Sequence, residues 1–330
     1  MLVGNVAPVT GHEVAKWGND MGKAYIYSRH GGPEVESFAD LPRPVPGPGE
    51  LLVAVRAAGV NPVDWKRRAG YRPLGAPAPE LPAVLGGEAA GVVEQVGAGV
   101  EGFAVGDAVF GNTVGGGYAE YALLPVAIAA HKPEEVSWAD AATLPIAAAT
   151  AYDGVLQLAL PAGATLLVTG AGGGVGVAAV QIAVHLGLKV LGTASAAKKE
   201  FVESLGAVHI ASGPGVEDRL RAAAPQGVDG VYDLVGGSAL EEAAELLADR
   251  AKLISGADRE TVAKLGGAAV ARERSAAVLD AVARLVVDGV LHPFVTATFP
   301  LDRADAALRS VEEGHARGKV VIEIPAGTTA

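Results

Sequence analysis

The sequence contains no cysteine, so disulfide bonds and zinc sites built on thiolates are both excluded. Secretion therefore gains no support, and the first twenty residues lack the charged head and unbroken apolar core of a signal peptide. We expect a cytoplasmic protein whose residues 1–20 form an extension ahead of the folded part.

Clusters of positive charge and long apolar runs are also missing. The chain has 26 Lys and Arg against 37 Asp and Glu, a net charge of −11, whereas binding to a nucleic-acid backbone depends on a basic surface. The most apolar window, residues 141–160, contains Pro145, Asp153 and Gln157 and owes its hydropathy to alanine. We predict a buried helix there, and neither nucleic acid nor a membrane as a partner.

A glycine-rich turn between a strand and a helix dominates the middle of the chain. Residues 166–168 predict a buried strand, 177–186 an alanine-rich helix that ends at Gly187, and 188–193 a second strand. Bare backbone before a helix N-terminus lets a pyrophosphate approach free N–H groups. The turn therefore predicts dinucleotide binding, with contacts from Gly170, Gly173, Gly174, Val175 and Gly176.

The end of the second strand predicts which dinucleotide binds. An NAD site places a carboxylate there, but the strand closes with Thr193, Ala194 and Ser195, and lysines 198 and 199 precede the first acid, Glu200. A 2′-phosphate would meet hydroxyls and cations, which favours NADPH and selects Thr193, Ser195 and Lys199 as contacts. The alternative is that both lysines are ordinary solvated residues.

The remaining pattern predicts an α/β fold with two domains. Short extended runs at 24–27, 51–58, 89–96 and 108–110 between Pro- and Gly-rich turns predict a small β-barrel, and 138–160 reads as helical. From Ala164 strands and helices alternate, with later strands at 208–211, 228–234, 252–255 and 268–271, which predicts a six-stranded, doubly wound parallel sheet. We assign residues 21–150 and 290–330 to the barrel domain and 151–289 to the dinucleotide-binding domain.

Several segments in a fixed order carry a family resemblance. They are GGPEV at 31–35, GVNPVDWKRRAG at 59–70, LGGEAAGVVEQVG at 85–97, VGDAVFG at 105–111, GGYAEY at 116–121, DLVGG at 233–237 and GHARGKVVI at 314–322. The chain resembles the medium-chain dehydrogenase/reductase superfamily, and within it the zinc-free NADPH:quinone oxidoreductase (zeta-crystallin-like) branch. The resemblance implies a GroES-like, mostly-β substrate domain built from both chain ends, an inserted Rossmann domain and a homodimer. The zinc-dependent alcohol dehydrogenases of the superfamily use a cysteine ligand, so no metal is expected here.

The resemblance also implies an activity and its residues. The expected reaction transfers hydride from NADPH to a quinone or an α,β-unsaturated carbonyl, small molecules that delocalise the resulting charge without a Lewis acid. Asn61 and Thr150 are expected beside the nicotinamide, and Tyr71 as hydrogen-bond donor to the oxyanion, although it falls one residue earlier than in relatives. Lys319 is expected to approach the cofactor from the C-terminal tail. The alternatives are that Asn61 caps a turn, Thr150 satisfies a helix carbonyl and Tyr71 covers a loop.

The nicotinamide half of the cofactor is expected beyond the carboxyl ends of the later strands. Val235, Ser255 and Gly256 occupy those ends.

Two other functions remain open from sequence. An enoyl-thioester reductase of the fatty-acid or polyketide type shares the hydride chemistry, and Lys66, Arg67, Arg68 and Arg72 would give it a basic cleft mouth for a phosphopantetheine or CoA arm, unless they form a solvated loop face. A non-catalytic NADPH-binding protein is equally consistent with the glycine turn.

Overall fold

A computed structural model describes residues 17–72, 78–314 and 317–325 of the chain. The first strand begins at Trp17, so the last four residues of the expected N-terminal extension belong to a strand. The other sixteen lie outside the described residues.

The N-terminal part is rich in antiparallel strands. Its elements are β1 (Trp17–Tyr27), β2 (Glu36–Pro44), β3 (Glu50–Val60), α1 (Pro62–Arg68), β4 (Ala83–Val84), β5 (Glu88–Val96), β6 (Ala108–Asn112), β7 (Tyr121–Pro125) and β8 (Ala129–His131). Strand β3 is the centre: it pairs with β5 along one edge and with β7 along part of the other. A three-stranded sheet in the order β2–β1–β4 packs beside it.

The helical segment that links the two domains is interrupted, where the sequence predicted one helix over 138–160. It consists of α2 (Trp138–Ala141), a π-helical turn (Leu144–Ala148) and α3 (Ala149–Leu158). Pro145 has no N–H to donate, and the N–H of Ile146 leaves the helical pattern to donate to Glu88 Oε2 at 2.7 Å. The buried carboxylate therefore shapes the backbone at the break.

The central part forms the predicted parallel sheet. Its elements are β9 (Thr165–Val168), α4 (Gly174–His185), β10 (Lys189–Ala194), α5 (Lys199–Ser204), β11 (Val208–Ala211), α6 (Val216–Ala223), β12 (Gly230–Asp233), α7 (Gly237–Ala244), β13 (Leu253–Ser255), α8 (Arg259–Lys264), β14 (Ala268–Ala269) and α9 (Ala276–Val287). The strand order β11–β10–β9–β12–β13–β14 is that of a Rossmann sheet, which confirms the predicted fold. The order reverses between β9 and β12, and ligands bind such sheets outside the carboxyl ends at this point.

The C-terminal part returns to the β-rich domain. It contains β15 (Val295–Pro300), α10 (Ala304–Glu312) and β16 (Lys319–Glu323). Strand β16 pairs antiparallel with β3, Val320 opposite Val60, and β15 adds to β16 in parallel. This pairing brings Lys319 to the end of β3, where the chain turns into α1.

No helix within the described ranges is long and apolar enough to cross a membrane. Helix α3 covers half of the apolar window 141–160, and its Val155 and Leu158 pack in the largest core cluster.

Candidate active site

A cleft of about 1160 Å³ lies between the Rossmann sheet and the β-rich domain. Residues that follow β9, β12 and β13 form one wall, and the corner between β3 and α1 forms the opposite wall. The cleft is therefore at the position where a Rossmann fold binds its cofactor.

The glycine turn presents bare backbone to this cleft. Gly170 has a φ of +68°, and Gly173 caps the twelve-residue helix α4 with extended backbone. A Cβ atom on Gly176 would lie 2.2 Å from the carbonyl oxygen of Gly170, whereas one on Gly173 would meet only that oxygen, at 3.5 Å. Gly176 therefore permits close packing, while Gly173 leaves open space in front of a helix N-terminus. The cradle fits an anionic pyrophosphate.

All five predicted turn residues line the cleft: Gly170, Gly173, Gly174, Val175 and Gly176. Ser255 and Gly256 line it as well, and the Ser255 hydroxyl donates to Asp233 Oδ2 at 2.6 Å. Val235 does not line it; its side chain is 55% exposed, and the neighbouring Leu234 takes the place on the wall.

The residues expected near the 2′-phosphate are only partly brought together. Thr193 is buried, with Oγ1 3.4 Å from the N–H of Gly170, and Ser195 is exposed beyond the cleft wall. Lys199 is turned outward, with Nζ 4.0 Å from Glu203 Oε1 in an exposed pair. Lys198 instead lines the cleft, and its Nζ donates to the carbonyl oxygen of Gly172 at 3.3 Å.

Asn61 and Lys319 belong to a buried network on the opposite wall. Lys319 Nζ lies 2.6 Å from Asn61 Oδ1 and 3.1 Å from Glu88 Oε1, and Asn61 Nδ2 donates to the same Glu88 oxygen at 2.7 Å. Glu88 is fully buried, while Asn61 and Lys319 both line the cleft. A Cβ on Gly174 would lie 2.7 Å from Lys319 Cδ, so the lysine reaches across to the glycine turn.

A second buried carboxyl supports this corner. Asp64 Oδ2 accepts hydrogen bonds from the N–H of Asn61 at 2.9 Å and from the Tyr118 hydroxyl at 2.7 Å. Burial raises the pKa of Asp64 from 3.8 to about 6, although both hydrogen bonds act in the opposite direction. Burial also raises the pKa of Tyr118, so its hydroxyl remains a donor. The pair fixes the start of α1, and with it the position of Asn61.

Tyr71 and Thr150 complete the set of predicted catalytic residues on the cleft walls. Tyr71 is 54% exposed, and no bond of its hydroxyl appears among the described residues. Thr150 is buried in α3, and its carbonyl oxygen accepts a hydrogen bond from Tyr232 at 2.7 Å. The structure thus brings Asn61, Tyr71 and Thr150 into one cleft with the glycine turn.

The four basic residues considered for the cleft mouth separate in the structure. Lys66 and Arg67 line the cleft. Arg68 does not: it is 2% exposed, pairs with Glu36 and lies 2.7 Å from Glu312 of α10. It ties α1 to the C-terminal helix, because a guanidinium buried so deeply requires carboxylate partners. Arg72 is exposed outside the cleft lining.

Glu88 is the functional residue that the sequence reasoning missed. The signal was present, because Glu88 begins a strand and is followed by five residues without polar side chains, and a carboxylate in such a run must be paired when buried. Its partner, Lys319, lies 231 residues away, and the spacing gives no indication of the contact.

No group of three or more potential metal-binding side chains occurs within the described parts of the chain.

Comparison with known proteins places this geometry in a family. The family model described as alcohol dehydrogenase GroES-like domain matches residues 47–134, and that described as zinc-binding dehydrogenase matches residues 205–322. The NADPH-dependent alkenal/one oxidoreductase of Arabidopsis thaliana chloroplasts is 32% identical over 317 residues, which cover 91% of this chain and 79% of the relative. The structure of the quinone oxidoreductase from Coxiella burnetii superposes with a TM-score of 0.84 at 28% identity, over 93% of this chain and all of that one.

Other relatives are much longer proteins. The NorB protein of the spectinabilin polyketide synthase system from Streptomyces orinoci is 36% identical over 84% of this chain, but the match spans only 13% of NorB. The chain therefore corresponds to a small segment of such synthases.

The fold and the cleft define a two-domain, dinucleotide-binding type of protein. The chain belongs to the medium-chain dehydrogenase/reductase superfamily, in its quinone oxidoreductase branch.

Proposed function

We propose that the chain is an NADPH-dependent oxidoreductase that transfers hydride to the conjugated bond system of a quinone or an α,β-unsaturated carbonyl. The observation that carries this proposal is that one cleft is lined both by an open glycine cradle and by Asn61, Tyr71 and Thr150. The relatives named for alkenal/one and quinone oxidoreduction support the same acceptor class.

The cofactor would be held by the glycine turn and the adjacent strand ends. The N–H groups at the start of α4 face the position of the pyrophosphate, and Ser255–Gly256 face the nicotinamide half. When bound, the nicotinamide supplies a hydride, that is, two electrons and one proton equivalent. Preference for NADPH over NADH is supported by the missing acid after β10 and by Lys198 at the cleft wall.

The chain's own side chains have distinct roles in this proposal. Asn61 and Thr150 position the ring, and Asn61 is itself fixed by Lys319, Glu88 and Asp64. Tyr71, which lines the cleft, donates a hydrogen bond to the acceptor oxygen on which negative charge develops. Conjugated acceptors suit such a site because delocalisation spreads the charge to an oxygen that one donor can stabilise.

A second function, enoyl-thioester reduction, is favoured by the polyketide synthase relatives and by Lys66 and Arg67 at the cleft.

The homodimer implied by the resemblance and the cytoplasmic location implied by the composition stay predictions. Sedimentation of the purified chain tests whether it is a homodimer.

One experiment separates these functions. NADPH oxidation is followed optically with three acceptors: a simple enone, 1,4-benzoquinone and the N-acetylcysteamine thioester of crotonate. Turnover of the enone or quinone supports the proposal, and turnover of the thioester alone supports the second function. Tight NADPH binding without turnover of any acceptor would overturn both in favour of a non-catalytic binding protein.

A further inference from the structure

The cleft wall is positively charged although the chain is acidic. Among the described residues that line the cleft, seven are Lys or Arg and two are Asp or Glu, in a chain of net charge −11. The glycine turn and the buried network account for Lys198 and Lys319. The other positively charged side chains lie elsewhere on the cleft wall.

Three arginines from both domains make up most of this excess. Arg67 is in the last turn of α1, and Arg272 and Arg274 lie in the segment between β14 and α9. The charges are close enough to affect each other: the pKa of Arg274 is lowered by partial burial, and then by the charges of Arg272 and Arg67. Within the ranges that the structure describes, none of the three guanidiniums has a hydrogen bond or an ion pair, whereas the buried Arg68 has two carboxylates. Like charges collected in this way are most stable with an anion between them.

Strand order places this arginine cluster away from the cofactor's phosphates. The glycine cradle follows β9, and Arg272 and Arg274 follow β14, which is three strands further along the sheet in the order β9–β12–β13–β14. Neighbouring strands are about 4.8 Å apart, so the separation is about 14 Å. The expected 2′-phosphate position, after β10, lies on the far side of β9. The nicotinamide half, beside Ser255–Gly256 after β13, lies between the cradle and the arginines. The cluster therefore faces the acceptor side.

We propose that Arg67, Arg272 and Arg274 form an anion subsite that selects acceptors carrying a carboxylate or phosphate group in addition to the conjugated bond. This inference rests on the proposed function and narrows its substrate class. Both anions suit the subsite, because guanidinium groups bind either through paired N–H donors. Two acids share this wall: Asp153 Oδ2 accepts a hydrogen bond from the backbone N–H of Glu273 at 2.9 Å, and Glu273 Oε1 lies 3.4 Å from the Ser275 hydroxyl. Within the described contacts, neither carboxylate forms an ion pair with the three guanidiniums.

Matched pairs of acceptors test the subsite. The carboxylate pair is 4-oxopent-2-enoate and its methyl ester, and the phosphate pair is crotonyl-CoA and crotonyl N-acetylcysteamine. In each pair the reacting bond system is similar. The carboxylate pair differs mainly in the anion, whereas crotonyl-CoA carries its phosphates on a pantetheine and adenosine arm that the N-acetylcysteamine thioester lacks. We expect the anionic member of at least one pair to have a kcat/KM at least about tenfold above its neutral partner, a preference that falls as salt increases. The pair of acceptors that shows this preference identifies whether the subsite takes a carboxylate or a phosphate.

The test variant is Arg272→Gln/Arg274→Gln, and the control is Arg221→Gln/Arg284→Gln. All four residues are exposed by accessible surface, although neighbouring atoms partly enclose the Arg274 guanidinium. The control removes the same charge from α6 and α9, outside the cleft lining. The test variant should lower the anionic-to-neutral ratio by at least about tenfold, and the control should preserve it. An unchanged ratio in the test variant, with the neutral acceptors still reduced, would overturn the subsite and leave the proposed function standing.

Binding measurements test the anion subsite even if none of the acceptors is reduced. The NADP⁺-loaded chain is titrated calorimetrically with 4-oxopentanoate and with CoA, neither of which carries an α,β-unsaturated carbonyl, and the apo chain is titrated with NADPH. We expect the test variant to weaken binding of at least one of the two anions and to leave the Kd for NADPH unchanged. A weakened Kd for NADPH would assign the arginines to the cofactor, and equal binding of both anions to wild type and variant would also overturn the subsite.

Discussion

Lys319 and Glu88, 231 residues apart in the sequence, form a buried ion pair in which Nζ lies 3.1 Å from Oε1. The pair joins the C-terminal strand β16 to the start of β5, and Asn61 bonds to both partners. Since Glu88 also fixes the π-helical turn through Ile146, one carboxylate connects three cleft-forming segments.

Removing one partner of this ion pair should destabilise the folded protein. Lys319→Met leaves Glu88 buried and uncompensated, so we expect a loss of about 3–5 kcal/mol in the free energy of unfolding. Glu88→Gln should also destabilise, and the double variant should lose less than the sum of the two. Urea unfolding of the four proteins measures this coupling, and additive losses would show that the pair contributes nothing as a pair.

The two ends of the glycine turn should respond differently to an added methyl group. At Gly176 a Cβ would collide with the Gly170 carbonyl oxygen at 2.2 Å, so Gly176→Ala should lower the melting temperature. At Gly173 the Cβ meets only that oxygen, at 3.5 Å, so Gly173→Ala should fold normally and weaken NADPH binding by about tenfold or more. Thermal unfolding and fluorescence titration check the two effects. Normal NADPH affinity in a folded Gly173→Ala protein would remove the pyrophosphate from this position.

Lys198 should contribute more to coenzyme preference than Lys199. Its side chain lies against the glycine turn, while Lys199 is in an exposed pair with Glu203. We expect Lys198→Met to raise the KM for NADPH by about tenfold or more, with little change for NADH, because a charged hydrogen bond to a phosphate is lost. Lys199→Met is the matched control. A selective loss in Lys199→Met instead would place the 2′-phosphate at Lys199, as the sequence predicted.

Asp64 should make stability depend on pH. Its folded pKa of about 6 exceeds the ordinary 3.8, so the folded state binds the proton more tightly. This contribution is present below pH 3.8 and is lost as the pH rises through about 6. At 1.36 kcal/mol per pKa unit, it amounts to about 3 kcal/mol.

Asp64→Asn removes the titrating group and should flatten this part of the stability profile. Urea unfolding of both proteins across this pH range measures the difference, which isolates Asp64 from the other carboxylates. Parallel profiles would mean that Asp64 titrates normally.

The sequence predicted regular, periodic parts of the fold and missed those set by distant contacts. The parallel strands were visible because strands buried on both faces are continuously apolar. Strand β2 was missed because it contains Pro42 and Pro44, which are tolerated only at an edge. The break between α2 and α3 depends on Glu88, far away in the sequence.

The candidate site also combines features that the local sequence predicts with features that depend on distant contacts. The position of the glycine turn between β9 and α4 follows from local turn chemistry, while its contacts with a cofactor stay a prediction. The orientation of neighbouring lysines 198 and 199 depends on side-chain packing, which sequence spacing does not contain. Arg68 was grouped with its exposed neighbours, because its partner Glu312 is contributed by a helix 244 residues away.

Isotope transfer tests the central claim most directly. NADPH deuterated at carbon 4 of the nicotinamide, in each stereochemical form, is incubated with the chain and an enone, and the reduced product is analysed by mass spectrometry and NMR. The account predicts that one of the two forms delivers deuterium to the carbon β to the carbonyl. Reduced product without label from either form, or no reduction of any conjugated acceptor despite bound NADPH, would contradict it.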